Sequence, residues 1–178
     1  MRIVSGHLKG RRIKAPKNLP VRPTTDMAKE ALFNILNNQY YFDEISVLDL
    51  FAGTGNISYE FASRGSAQIT TVDNHFGCIK FINNTTEDLQ IQLSAIKSDV
   101  FKFLEHTPQK FDIIFADPPY DLKLELFNLI SKIVAERMLL NEEGVLIIEH
   151  AKHSKLLKEN GFLQTRNYGS SAFTFFKR

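Results

Sequence analysis

From residue 45 to residue 149 the chain alternates short apolar runs with helical stretches, and the runs are apolar at successive positions rather than at every second one. Strands of that kind are covered on both faces, so the alternation implies a parallel sheet with helices on both sides. The strand candidates are Ser46–Phe51, Gln68–Asp73, Gln92–Lys97, Phe111–Ala116 and Gly144–Glu149, with helices near 56–64, 76–89, 99–106 and 122–139. In the last helix Leu122, Leu126, Leu129, Ile130 and Ile133 form one stripe, and Asn141–Gly144 makes the exit turn. A further helix precedes the first strand, with Ala28, Ala31, Leu32, Ile35 and Leu36 on one face and Thr25 or Asp26 as its N-cap. The tail from Gly161 has no helical period. Phe162 and the run Ala172–Phe176 suggest two more strands around a Tyr168-Gly169-Ser170 turn, antiparallel and at an edge of the sheet. The expected architecture is α/β: a doubly wound, mostly parallel sheet of about seven strands. It would form one domain over residues 25–178, behind an extension of residues 1–24.

Charge makes that extension distinctive. The net charge of the 178 residues is only +2, yet residues 1–22 hold seven basic side chains and no acid, which leaves −5 for the rest. Such an asymmetry points to a polyanionic partner. Arg2, Lys9, Arg11, Arg12, Lys14 and Arg22 are the candidate contacts. The single cysteine, Cys78, excludes an internal disulfide framework and a multi-cysteine zinc site, so a reducing cytoplasm is expected. No apolar run approaches the ~20 residues of a membrane helix, and Met1–His7 lacks the apolar core of a secretory signal. His150 and His153 have no accompanying carboxylate or thiol cluster, and no metal is expected.

The chemistry gathers where strands end. Asp49-Leu50-Phe51-Ala52-Gly53-Thr54-Gly55 follows the first strand and opens a helix, and glycines there let the backbone approach a ligand closely. The Gly-Lys-Ser/Thr of a phosphate-binding loop is missing, and the third glycine of a dinucleotide fingerprint would fall at Ser58. Asp73 ends the second strand, where an acid can accept both hydroxyls of a ribose. Asp99, beside Val100, ends the third; it either reaches the rim of the same ligand or caps the following helix. Asp117-Pro118-Pro119-Tyr120 follows the fourth strand. Consecutive prolines fix the backbone and remove two N–H donors. The Asp117 carboxylate and Pro118 carbonyl are then left to accept from a planar exocyclic amine, with Tyr120 stacked on its ring.

Together these residues resemble S-adenosylmethionine-dependent methyltransferases of the Rossmann-like class that act on exocyclic amino groups. The resemblance implies that Asp49, Phe51, Gly53 and Gly55 hold the methionine part of the cofactor, Asp73 the ribose, and Asp99 with Val100 the adenine. Asp117, Pro118 and Tyr120 would hold the target amine. A closer resemblance runs over the whole chain. Arg2-Ile3-Val4-Ser5-Gly6, Lys9-Gly10-Arg11, Arg22-Pro23-Thr24-Thr25-Asp26 leading to Glu30–Asn34, Ser63-Arg64-Gly65 and Tyr168-Gly169 are similar to the RsmD family. That family methylates the N2 amino group of one guanine in bacterial small-subunit ribosomal RNA. Met27 stands where the family usually has an arginine.

The resemblance implies S-adenosylmethionine as cofactor and small-subunit ribosomal RNA, in an assembled or assembling particle, as partner. Thr24 joins the arm's basic residues as an RNA contact, and a cytoplasmic monomer with no membrane association is expected. Two other readings stay open. One keeps the cofactor and changes the acceptor to adenine N6 or a protein amide. The other is an RNA-binding or assembly factor without turnover.

Overall fold

The computed structural model describes residues 1–16, 19, 24–119, 121–156 and 158–178. Arg22 and Tyr120, both expected at the site, lie outside the described residues. Helix α1 (Asp26–Leu36) leads through a short 3-10 turn (Phe42–Glu44) into β1 (Ser46–Leu50). Then come α2 (Asn56–Ser63), β2 (Gln68–Asp73), α3 (Phe76–Leu89), β3 (Ser94–Lys97), α4 (Val100–His106), β4 (Phe111–Ala116) and α5 (Leu124–Glu136). Strands β5 (Leu140–Ala151), β6 (Phe162–Tyr168) and β7 (Ser171–Lys177) complete a sheet of order β3-β2-β1-β4-β5-β7-β6. Strands β1 to β5 pair in parallel, and β7 pairs antiparallel with both β5 and β6.

The period-two rule divides the core into two layers. Val47, Ile113, Phe115, Val145 and Ile147 face α1 and α2, meeting Leu32, Phe33, Leu36 and Phe61. Leu48, Ile114, Leu146 and Ile148 point the other way, toward Leu104, Phe127, Ile130 and Val134. Strand β1 pairs with β2 on one side and β4 on the other, so the strand order reverses there. Ligands of doubly wound sheets lodge at that point, outside the carboxyl ends of the strands.

Several boundaries differ from expectation for local reasons. The exit turn at Asn141–Gly144 is absorbed into β5. Leu140 already pairs with Phe111, and the register slips before Val145 meets Ile113, leaving Glu142 and Glu143 exposed. Strand β7, expected at an edge, lies between β5 and β6, so of the two C-terminal strands β6 alone is at an edge. His150, expected past the strand's end, is buried inside β5, where its Nε2 lies 2.7 Å from Thr174 Oγ1 and its Nδ1 2.9 Å from the Ala151 carbonyl. Desolvation holds that imidazole below its usual pKa. Among the described residues no helix is long and apolar enough to cross a membrane.

The basic arm does not stand apart from the body. Residues 1–13 fold as a two-stranded ribbon: Ile3 N–H donates to the Arg11 carbonyl, Ile13 N–H to that of Met1, and Arg2 bridges Arg12. Ile3 and Ile13 turn inward onto Tyr59 of α2. Arg2, Lys9, Arg11, Arg12 and Lys14 all face outward and are exposed. The docking explains why all eight residues of α2, including Asn56, Ser58, Glu60 and Ser63, are buried. Gly6 is part of the fit: at φ +81° a Cβ there would stand 1.8 Å from the Ser63 carbonyl oxygen.

Candidate cofactor and acceptor site

The turn after β1 takes its shape from left-handed backbone at Phe51 (φ 55°), Gly53 (φ 53°) and Gly55 (φ 78°). A left-handed phenylalanine is strained, and strain of that kind concentrates at functional sites. The turn is fastened to the end of β2: Ala52 N–H donates to the Val72 carbonyl at 3.2 Å and Gly53 N–H to Asp73 Oδ2 at 2.8 Å. Asp73 Oδ1 accepts from His75 N–H at 2.8 Å, so each oxygen of this largely buried carboxylate holds one backbone N–H and keeps a second lone pair. Gly55 is the N-cap of α2; a Cβ there would press 2.8 Å from the Tyr59 ring.

Asp49 is buried beneath this turn. Its Oδ2 accepts from Ser58 Oγ at 2.6 Å and Ser58 N–H at 3.2 Å, and Ser58 Oγ lies 2.8 Å from Thr71 Oγ1. Position 58, where a dinucleotide turn would place glycine, therefore supplies the hydroxyl that holds the acid. Burial pushes the Asp49 carboxyl from 3.8 up to about 7, against the opposing pull of the Ser58 bonds. A folded-state pKa raised above the unfolded one favours folding fully below the unfolded value, and that support is lost as pH rises to the folded value. Asp49 should therefore contribute a downward slope of up to about 1.4 kcal/mol per pH unit between roughly 4 and 7. Denaturant unfolding of wild type and Asp49→Asn at pH 5 and pH 8 checks this. The variant should lose distinctly less stability over that interval, and equal losses would contradict the assignment.

Asp99 serves as the N-cap of α4, its Oδ1 accepting from Lys102 N–H at 2.9 Å, and Val100 is the buried first residue of that helix. The cap engages Oδ1 alone on an exposed residue, so the two roles open in the sequence are compatible in this geometry. The Phe51 ring meets Phe101 edge-on at a centroid distance of 6.3 Å, closing this flank. On the other side of β1, Asp117 N–H reaches the Leu50 carbonyl at 3.4 Å, so the Asp-Pro-Pro turn is bonded to the strand that launches the glycine turn. Pro118 is buried and Pro119 exposed.

Thr24 is placed differently from its expected role as an RNA contact. It is buried, its Oγ1 donates to Glu149 Oε2 at 2.8 Å, and its carbonyl accepts from Asn56 Nδ2 at 3.2 Å. It joins the start of α1 to β5 and to the first residue after the glycine turn, and so stands behind the surface.

Sequence reasoning missed the group that couples the arm to this turn. Lys29, fully buried, donates from Nζ to the Arg2 carbonyl (2.6 Å) and Asn56 Oδ1 (3.0 Å), and pairs with Glu60 Oε2 at 3.2 Å. Glu60 also accepts from Val4 N–H, Ser5 N–H and Arg64. The available signal was Glu60 and Arg64 four residues apart on a short helix otherwise carrying Tyr59, Phe61 and Ala62. Phe76 was also overlooked: it opens α3 three residues after Asp73 with an aromatic side chain 65% exposed. A broad open groove lies at the opposite end of the sheet, lined by Gln68, Ser94, Asp112 and their neighbours, and contains none of the motif residues.

A ligand turn and an acceptor turn that share one strand end suit direct group transfer between two bound molecules. Combined with a sheet whose last strand is inserted antiparallel beside the fifth, they match the Rossmann-like fold of methyltransferases. The family model described as "Conserved hypothetical protein 95" matches residues 1–177. YlbH of Bacillus subtilis, whose name carries a provisional rRNA-methyltransferase assignment, is 32% identical over 186 residues, spanning 100% of this chain and 99% of that protein. The ribosomal RNA small subunit methyltransferase D of Buchnera aphidicola (subsp. Acyrthosiphon pisum) is 32% identical over 163 residues, 89% of this chain and 82% of its own. The chain belongs to this family, the RsmD family.

Among solved structures, Thermus thermophilus protein TTHA0928 superimposes with a TM-score of 0.86 at 24% identity, covering 100% of this chain and 99% of that one. A T. thermophilus 16S rRNA N2-guanine methyltransferase, RsmC, solved with AdoMet and guanosine, gives 0.76 at 23% identity over 100% of this chain and 49% of that one. At these identities both likenesses are likenesses of fold.

Proposed function

We propose that the protein transfers the methyl group of S-adenosylmethionine to the exocyclic N2 amine of a guanine in small-subunit ribosomal RNA, within an assembled or assembling particle. The observation that carries the reading is the bond from Asp117 N–H to the Leu50 carbonyl, which sets an amine-accepting turn against the glycine turn on a single strand end. The residues present fit the cofactor. Asp73 offers a lone pair on each oxygen to the ribose hydroxyls, Phe76 offers an exposed aromatic side chain for the adenine, and the left-handed turn at Phe51–Gly55 opens backbone to the methionine part.

Bound there, S-adenosylmethionine supplies a methyl already activated on a sulfonium, so the protein's task is to orient a nucleophile. Guanine N2 is a poor one because its lone pair is delocalised into the ring. Hydrogen bonds from N2–H to the Asp117 carboxylate and the Pro118 carbonyl draw the nitrogen toward tetrahedral geometry and free that pair. After transfer the nitrogen sheds its extra proton, to Asp117 or to water. Tyr120 would stack on the base once it is taken out of its helix. The outward cations Arg2, Lys9, Arg11, Arg12 and Lys14, with Arg22, hold phosphates, which gives affinity and register without base identity. These contacts read phosphate rather than base edges, so selectivity rests on RNA shape. A cytoplasmic monomer follows the same reading.

Incubation with S-adenosylmethionine tritiated on its methyl group and with small subunits lacking the modification tests this. Label in the RNA is the expected result. Label confined to protein, or none at all, would sink the proposal.

A further inference from the structure

The net −5 of the body is not spread evenly. Residues 152–178 hold six basic side chains and one acid, Glu159, while residues 23–151 sum to −10. The second cationic stretch begins at the acceptor end of the sheet. Ile148 of β5 pairs with Ala116, the residue before Asp117, and β5 then runs on to Ala151, about 10 Å beyond that level. Lys152 and His153 form the turn that follows, and both are exposed, as are Lys155 and, on the edge strand, Arg166.

This turn is stitched to the arm through packed structure. Lys152 N–H donates to the Ser170 carbonyl at 2.9 Å, which fixes it to the β6–β7 turn. In that turn, a Cβ on Gly169 would stand 3.9 Å from the Met27 methyl, and Met27 is 64% exposed. Beside Met27, Asp26 pairs with Arg2 of the arm at 3.4 Å, and Lys29 holds the Arg2 carbonyl. Exposed cations therefore stand on both sides of α1's first turn, at the end of the sheet where Asp117 emerges. Of the acids on the first two turns of α1, Asp26 is paired with Arg2 and Glu30 is exposed.

We propose that Lys152, His153 and Lys155, with the β6–β7 turn, form a second docking strip for RNA phosphodiester backbone, continuous with the arm across Met27. The proposal rests on the reading that the substrate is RNA. Phosphate contacts on both sides of Asp117 would fix the RNA in two places and so orient the guanine between them. A strip on the arm alone would leave the RNA free to pivot.

The test is the salt dependence of binding to a transcript of small-subunit ribosomal RNA. Each phosphate contact adds roughly 0.7 to 0.9 to the slope of log affinity against log salt. Lys152→Gln with Lys155→Gln should weaken binding about 3- to 10-fold and reduce the slope by about 1.4 to 1.8. The S-adenosylmethionine affinity and thermal midpoint should stay at wild-type values. A control with the same charge change elsewhere, Lys110→Gln with Lys132→Gln, should keep the wild-type slope. An equal fall in the control would reduce the effect to net charge and overturn the strip. An unchanged slope in the Lys152/Lys155 variant overturns it too, including the case where that variant binds transcript normally but fails on assembled subunits, since the surface would then face a ribosomal protein. Wild-type protein that binds neither the transcript nor small subunits contradicts the RNA reading itself; where only subunits bind, the same slopes are read on them.

Discussion

Asp117→Ala is expected to lower methyl transfer to ribosomal RNA ~100- to 1,000-fold while S-adenosylmethionine binds as before. The size follows from what the side chain does. Removing one preorganised acceptor from the reacting nitrogen costs about 3 to 4 kcal/mol of transition-state stabilisation in comparable sites. Loss of position alone can cost 100-fold. The cofactor affinity should persist because the glycine turn is fastened to Asp73 and Val72, on the opposite side of β1 from Asp117. Single-turnover rates and calorimetric titration separate the two quantities. A wild-type rate in the variant would remove Asp117 from the chemistry, and a lost cofactor affinity would show that its role is structural. Asp117→Asn keeps the shape and an acceptor oxygen but no charge, and should fall between the two.

The largest stability effect is expected at Glu60. Its carboxylate is fully buried and accepts from Lys29, Arg64 and the Val4 and Ser5 amides. Removing one partner of a buried pair costs about 3 to 5 kcal/mol, because the remaining charge has no counterpart. Glu60→Gln leaves Lys29 in that position, so the unfolding free energy from denaturant titration should drop by that amount. The Val4 and Ser5 amides should also lose protection from hydrogen exchange as the arm detaches. Adding Lys29→Met removes the stranded cation and should recover part of the loss, a coupling that simple loss of packing would not give. Wild-type stability in Glu60→Gln, with arm amides still protected, would contradict the network.

The two cases mark what could and could not be read from sequence. The Asp117 turn was legible because an apolar strand, two prolines and an acid act locally, and β4 ends at Ala116 as expected. The same holds for the Gly53 turn and for β2, whose boundaries coincide with those of the apolar run. Glu60 and Lys29 were not legible as a buried pair. Charged residues on an amphipathic helix look solvated until another segment covers them, and the cover here comes from 55 residues away in sequence. The docked arm was hidden for the same reason: seven cations dominate its composition, while Ile3 and Ile13, with Met1 and Leu8, record the face that packs. The insertion of β7 between β5 and β6 also escaped, since a hairpin pattern does not say which of its strands joins the sheet. Asp99 was ambiguous because capping and ligand binding ask for the same residue at the same strand end.

Arm, turn and acceptor site are thus one mechanical unit: Lys29 holds the Arg2 carbonyl and the Asn56 side chain, and Asn56 follows the glycine turn directly. In the proposed function this unit delivers a methyl group to guanine N2. Mass spectrometry of nucleosides from small-subunit RNA, after reaction with deuterated-methyl S-adenosylmethionine, tests it most directly. Deuterated N2-methylguanosine is expected from wild-type protein, and ~100- to 1,000-fold more slowly from Asp117→Ala. Deuterium in N6-methyladenosine, or in no nucleoside at all, would contradict it.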